Sequence, residues 1–115
     1  MNDIQQLTKL IIEFRDKRNW KQFHKHKDTA ISLSLEAAEV LEHFQWKSNE
    51  EIEEYIKSNT KHIGEELADV LYWILLMSHD LGIDIVETFR KKMKKNEKKY
   101  PIAKSHNSHK KWTEL

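Results

Sequence analysis

Two pairs of acidic residues with helical spacing are the part of the sequence best suited to chemistry. Glu36 and Glu39 lie three residues apart within residues 33–46, and Glu66 and Asp69 repeat the spacing downstream. Residues three apart on a helix project from one side, roughly 60° from each other around the axis. Both pairs border apolar stripes, where an ionised carboxylate is costly unless it is paired or bound to metal. We therefore predict that two helices bring four carboxylates to one interior site.

Such a set of acids admits three interpretations. The acids can be structural and pair with lysines at the ends of a helical bundle. They can form a di-iron site, but that requires Glu-x-x-His on two helices, and no histidine follows a glutamate at this spacing. They can hold Mg²⁺, which takes hard oxygen ligands and usually arrives with substrate phosphates. The combination of Glu-x-x-Glu with Glu-x-x-Asp on a nearly all-apolar helix favours magnesium.

A basic helix near the end of the chain provides the counterpart. Lys92, Asn96 and Lys99 are spaced at i, i+4 and i+7, so they line one side of that helix. Lysine supplies a point charge to phosphate, and the asparagine amide can donate or accept a hydrogen bond. A solvated basic helix end explains the same residues if no acidic site is present. Taken with the carboxylates, they predict phosphate binding.

The charges are distributed unevenly along the chain, although the net charge is only +1. From Glu36 to Asp69 there are ten acids and three lysines, and from Arg90 to Lys111 there are ten basic residues and one acid. An acidic centre with a basic end suits a ligand that carries both metal cations and phosphates.

The composition favours one helical domain without covalent cross-links. With 115 residues the chain can bury a core, and it has two glycines, one proline and no cysteine. We find no secretory signal and no run long enough to span a membrane, so we expect a cytoplasmic protein. The histidines at positions 43, 62 and 79 are interpreted as packing or surface groups.

The periodicity predicts the helices that must position these groups. Asp3 caps a first helix to about Arg18, with a buried stripe at positions 4, 7, 10, 11 and 14. Residues 18–28 form an aromatic loop that covers the bundle or stacks on a flat ring. A second helix runs from Asp28 or Thr29 to about Trp46.

Capping residues predict the remaining helices. Ser48 caps a short acidic helix that ends at residues 58–60, and a buried third helix follows from about residue 61 to 80. Gly64 within it allows close packing. Asp84 caps a fourth helix that Pro101 stops, and residues 101–115 form a loosely structured tail.

Together these motifs resemble the MazG-like all-α nucleotide pyrophosphohydrolases, and more narrowly the small dCTP pyrophosphatase branch. The resemblance spans nearly the whole chain. The sequence departs from the family pattern at two positions. Lys99 stands where the family has an arginine, whose planar guanidinium can make two hydrogen bonds to a phosphate. Trp73 stands where relatives often have a tyrosine. The resemblance rests on Glu36-x-x-Glu39, Glu66-x-x-Asp69 and Lys92-x-x-x-Asn96-x-x-Lys99, and on residues 18–24, 44–46, 100–101 and 113–115.

The resemblance implies a single MazG-like domain over residues 1–115, with a four-helix-bundle-type fold whose helices pair across subunits in a dimer or tetramer. It implies Mg²⁺-dependent hydrolysis of a nucleoside triphosphate, with dCTP or a modified pyrimidine nucleotide as substrate, to monophosphate and pyrophosphate; Mn²⁺ is an alternative metal. Partners include neither nucleic acid polymers nor membranes. The catalytic and metal-binding residues would be Glu36, Glu39, Glu66 and Asp69; the substrate-binding residues would be Trp20, His24, Trp46, Trp73, Lys92, Asn96 and Lys99.

Two other classes of function stay open at this point. A helical regulatory module can bind nucleotide without cleaving it, and a structural oligomer needs no site at all. Magnesium-dependent release of pyrophosphate separates the enzyme from both.

Overall fold

The computed structural model describes residues 1–115 and contains helices but no strands, which confirms the predicted all-α class. It divides into two compact units, Met1–Gly82 and Ile83–Leu115. No helix is both long and apolar enough to span a membrane. The α helices are α1 (Asp3–Lys17), α2 (His26–Glu42), α3 (Asn49–Asp80), α4 (Ile85–Lys99) and α5 (Ile102–Ser105), and two 3₁₀ turns occupy Lys21–Phe23 and Trp112–Glu114.

The first two helices begin one or more residues before their predicted starts. Asn2, and not Asp3, caps α1 in a reciprocal capping box with Gln5. Helix α2 begins at His26 after Lys25, which provides no side-chain cap, so the predicted start at residues 28–29 is wrong. Helix α2 also ends at Glu42, four residues early, because residues 43–46 form a turn.

Helix α3 is a single helix of 32 residues, so the predicted interruption at residues 58–60 is wrong. The polar side chains there bond to the preceding turn of the same helix. Asn59 Nδ2 donates to the Tyr55 carbonyl at 2.8 Å, and Thr60 Oγ1 donates to the Ile56 carbonyl at 2.7 Å. Their hydrogen-bonding groups are thus satisfied without a break. The cap at Ser48 is confirmed.

Helix α3 packs against both α1 and α2 and carries the core of the first unit. Leu75 and Leu76 are buried, but Leu10 on α1 is 63% exposed and Leu67 on α3 is 53% exposed. The predicted burial of both helices is therefore wrong in part, because the single chain leaves part of the apolar surface of α1 and α3 uncovered. No atom lies within 4 Å of a Cβ built on Gly64, so close packing within the chain does not explain this glycine.

The second unit begins with the predicted cap, since the Asp84 side chain accepts from the Glu87 N–H at the start of α4. Pro101 follows the end of α4 and precedes the four-residue α5. Near the chain end, the Lys99 ammonium lies 5.1 Å from the ring centroid of Trp112.

Candidate metal and nucleotide site

The carboxylates of α2 and α3 meet where these two helices pack together. Glu36 and Glu39 project from α2 and Glu66 from α3, and one oxygen of each lies within 4.8 Å of the others. Asp69 follows one turn after Glu66 on α3 and shares the wall of a cavity with Glu36. The structure thus brings together three of the four acids that the sequence places on two helices, and the charge of Asp69 lies near enough to act on Glu36 and Glu66.

Mutual repulsion and burial both disfavour ionisation in this cluster. Burial raises the pKa of Glu36 above its ordinary value, and hydrogen bonding to Glu39 and the neighbouring negative charges raise it further. The pKa of Glu66 is raised first by hydrogen bonding to Glu39, then by burial and by the charges of the other acids. Negative charge on this cluster therefore costs free energy that a bound cation would relieve.

These residues fit a divalent cation with hard oxygen ligands. Oε2 of Glu36 is buried and has no hydrogen-bond partner in the chain. A buried acceptor without a donor costs free energy unless something else satisfies it. Since the cluster offers only carboxylate oxygens, Mg²⁺ and Mn²⁺ suit it better than metals that prefer nitrogen or sulfur.

A cavity of about 510 Å³ opens beside the carboxylates. Its aromatic wall is held by edge-to-face contacts, since the Phe14 ring lies 5.7 Å from Trp20 and 6.4 Å from Tyr72, and Tyr72 lies 5.0 Å from Trp73. An apolar cavity with two acids at its edge can take a flat ring at one end and a cation at the other. It is lined by Leu10, Ile11, Phe14, Trp20, Glu36, Asp69, Tyr72 and Trp73.

Known proteins resemble this chain in sequence and in fold. The model of the MazG-like family matches residues 31–115. The chain belongs to the MazG-like family. The dCTP pyrophosphatase 1 of Mus musculus is 31% identical to the MazG-like chain over 114 residues, which cover 97% of this chain and 67% of that relative. The dCTP pyrophosphatase 1 of Homo sapiens is 30% identical, with 97% and 67% covered.

A solved structure is also similar to this MazG-like protein. The crystal structure of a pyrophosphatase from Archaeoglobus fulgidus superposes with a TM-score of 0.81 at 39% identity, covering 88% of this chain and 94% of that one. These comparisons confirm the predicted family and the predicted class, a hydrolase similar to dCTP diphosphatases.

Three residues predicted to form the base pocket, Trp20, His24 and Trp46, and the predicted substrate-binding residue Trp73 occupy different surroundings in the MazG-like chain. Trp20 and Trp73 line the cavity. His24 packs edge-on against Trp73, with ring centroids 5.5 Å apart, and burial and the Arg15 charge lower its pKa. Trp46 lies in the turn after α2, is 86% exposed and does not line the cavity. A base-stacking role for Trp46 stays a prediction.

The predicted phosphate-binding residues belong to the second unit, Ile83–Leu115. Lys92 and the half-buried Asn96 and Lys99 follow one side of α4, as the spacing predicts. The Asn96 amide lies 3.9 Å from the sulfur of Met93. Their contribution to phosphate binding stays a prediction.

Sequence reasoning missed Tyr72 and Phe14 as cavity residues, together with a buried ion pair. Tyr72 follows Asp69 by three residues on α3, so the spacing that selected the acids also indicates this residue. Nothing local indicates the pair, in which Arg15 Nη1 donates to Asp80 Oδ2 at 2.8 Å, because the partners are 65 positions apart. The backbone carbonyl of Arg15 also accepts from the Trp20 N–H at 3.2 Å, which ties the aromatic loop to α1.

Proposed function

We propose that this protein is a Mg²⁺-dependent nucleoside triphosphate pyrophosphohydrolase that acts on dCTP or a modified pyrimidine deoxynucleotide. The products would be the nucleoside monophosphate and pyrophosphate, which suits removal of unwanted nucleotides from the cellular pool. The observation that carries the proposal is the cluster of Glu36, Glu39 and Glu66 beside an aromatic cavity. The names of the mouse, bovine, rat and human relatives support dCTP as the first substrate to test.

The chain's own groups would divide the work between phosphate and nucleoside. Glu36, Glu39, Glu66 and Asp69 would hold Mg²⁺, and bound metal supplies charge neutralisation of phosphate oxygens and a more acidic water. A carboxylate that is not fully used as a ligand would take the proton of the attacking water. Attack at the α phosphorus would release pyrophosphate, and Lys92 and Lys99 would stabilise this leaving group.

The cavity residues would bind and orient the nucleoside. Trp20 and Trp73 offer aromatic surfaces for stacking, which is worth roughly 1–3 kcal/mol per base contact.

We also propose that the protein forms a homodimer or homotetramer in solution. The motivating observation is the apolar surface that the single chain leaves open, including Leu10, Leu67 and the 37% exposed Leu71. Sedimentation at micromolar concentration should show a species larger than 13.9 kDa. A folded monomer would contradict this part of the proposal. A cytoplasmic location stays a prediction.

The test of the activity is a substrate panel assayed for pyrophosphate. Ribo- and deoxyribonucleoside triphosphates, including modified pyrimidines, are incubated with Mg²⁺, with Mn²⁺ and with a chelator. We expect pyrophosphate and monophosphate in equal amounts, a preference for pyrimidine deoxynucleotides and no turnover with chelator. Release of orthophosphate alone would contradict cleavage between the α and β phosphates. Thermal stabilisation by nucleotide without any product would favour a binding module that lacks turnover.

A further inference from the structure

We propose that the hydroxyl of Tyr72 hydrogen-bonds the base of the bound nucleotide and so helps to determine which base is preferred. This inference rests on the proposed function, because it assigns one residue to the nucleotide site. Tyr72 lies on α3, about one turn after Asp69, and it lines the cavity together with Glu36 and Asp69.

The Tyr72 ring is fixed in place, but its hydroxyl is not bonded within the chain. Phe14 and Trp73 hold the ring from two sides with interplanar angles of 88° and 79°. By contrast, the hydroxyl of Tyr55 lies 2.6 Å from Nδ1 of His43, and no such partner accompanies the hydroxyl of Tyr72. A ring that packs against two aromatic side chains, with a hydroxyl that has no partner within the chain, is placed to bond a ligand at the cavity wall.

The hydroxyl also differs chemically from the other polar groups of the cavity wall. The indole N–H groups of Trp20 and Trp73 only donate, and ionised carboxylates of Glu36 and Asp69 only accept. The Tyr72 hydroxyl does both, because a tyrosine keeps its proton at neutral pH; burial raises its pKa further. It can therefore bond a ring carbonyl, a ring nitrogen or an exocyclic amino group of a base.

The position among the aromatic residues assigns this bond to the base rather than to the phosphates. Phosphates are drawn to the cation that the acids would hold, at the edge of the cavity. The flat base then lies among Phe14, Trp20 and Trp73, where stacking is available. The Tyr72 ring contacts Phe14 and Trp73, and the charges that act on its hydroxyl are those of Arg15 and Arg18 and not those of the acids, so we assign the hydroxyl to the aromatic end.

The variant Tyr72→Phe tests the proposal, because it removes the oxygen and keeps the ring. For the preferred nucleotide we expect KM to rise by about two- to twelvefold, the effect of one hydrogen bond between neutral groups. We expect kcat to change by less than about twofold. The preference for that base over other bases with the same sugar should shrink by the same factor as KM rises.

The matched control is Tyr55→Phe, which removes a hydroxyl that bonds His43 and does not line the cavity. We expect this control to lower Tm without changing KM, whereas Tyr72→Phe should leave Tm nearly unchanged. An unchanged KM in Tyr72→Phe would overturn the proposal. An equal rise in KM for every base would also overturn it, because such a loss indicates contact with the sugar or phosphates.

Binding measurements keep this test separate from the test of the activity. Nucleotide affinity is measured by calorimetry with Ca²⁺ in place of Mg²⁺, for the parent chain and for both variants. A parent chain that releases no pyrophosphate would refute the proposed function. A base-selective loss of affinity in Tyr72→Phe would still support the assignment of Tyr72, and equal affinities of parent and variant would refute it.

Discussion

Breaking the ion pair between Arg15 and Asp80 should destabilise the fold strongly, because both charges are shielded from water. Arg15 is 1% exposed, and the side chain of Asp80 is 11% exposed. The two side chains are joined by a hydrogen bond of 2.8 Å. Removal of one partner leaves the other charge buried and unpaired, which costs about 3–5 kcal/mol.

The perturbation is Asp80→Asn, which keeps the shape of the side chain and removes its charge. An unfolding entropy of about 2.1 cal/mol/K per residue means that each kcal/mol lowers Tm by about 4 °C for a chain of 115 residues. The expected fall in Tm is therefore about 12–20 °C. It is measured by circular dichroism in metal-free buffer.

The same arginine provides a matched control. Oδ1 of Asp16 lies 4.0 Å from Nε of Arg15, but the side chain of Asp16 is 61% exposed. Exposed pairs contribute about 0–1 kcal/mol, so Asp16→Asn should lower Tm by no more than about 4 °C. The double variant Arg15→Met with Asp80→Leu removes both charges and should melt near or above the parent. A Tm of Asp80→Asn equal to that of Asp16→Asn would refute the reasoning.

Three further predictions concern the candidate site. Glu39→Gln and Asp69→Asn should abolish Mg²⁺-dependent turnover and keep the helical circular dichroism, with a metal-free Tm equal to or above the parent's; near-normal activity would remove these residues from the site. In the folded chain the pKa values of Glu36 and Glu66 lie above the ordinary 4.5. Protonation of these two carboxyls therefore favours folding. Without metal, the Tm of the parent minus the Tm of Glu39→Gln should be highest below pH 4.5 and should fall as the pH rises through the raised pKa values. Because Trp46 is 86% exposed, Trp46→Ala should leave Tm unchanged and, if this residue stacks on the base, raise KM by about ten- to a hundredfold; a fall in Tm with constant KM would make it a packing residue.

The helices could be predicted where the sequence contains a local signal and not elsewhere. Ser48 and Asp84 are caps whose side chains bond backbone groups three residues later, and both were predicted correctly. The polar run at residues 58–60 misled the prediction, because the same side chains that cap helices also bond to the preceding turn. Asn59 and Thr60 do so within α3, and their residue types do not distinguish the two outcomes.

Part of the candidate site could also be predicted from local spacing, and the rest depends on how distant parts of the chain pack together. Glu36 and Glu39 share a helix face, so their proximity follows from spacing alone. That Glu66 meets them depends on how α2 packs against α3, and the apolar stripes beside each pair indicated this only in outline. The hydroxyl of Tyr72 is free because no donor or acceptor reaches it from another helix, which is a property of tertiary packing alone.

Charges on α3 act in opposite directions according to what faces them. Glu66 is opposed by like charges from α2, so its ionisation works against the metal-free fold. Asp80, on the same helix, faces the buried guanidinium of Arg15 and pairs with it at 2.8 Å. A bound cation would give Glu66 the kind of partner that Arg15 gives Asp80. Mg²⁺ should therefore raise Tm in the parent but much less in Glu39→Gln, and the effect of Asp80→Asn on Tm should be the same with and without metal.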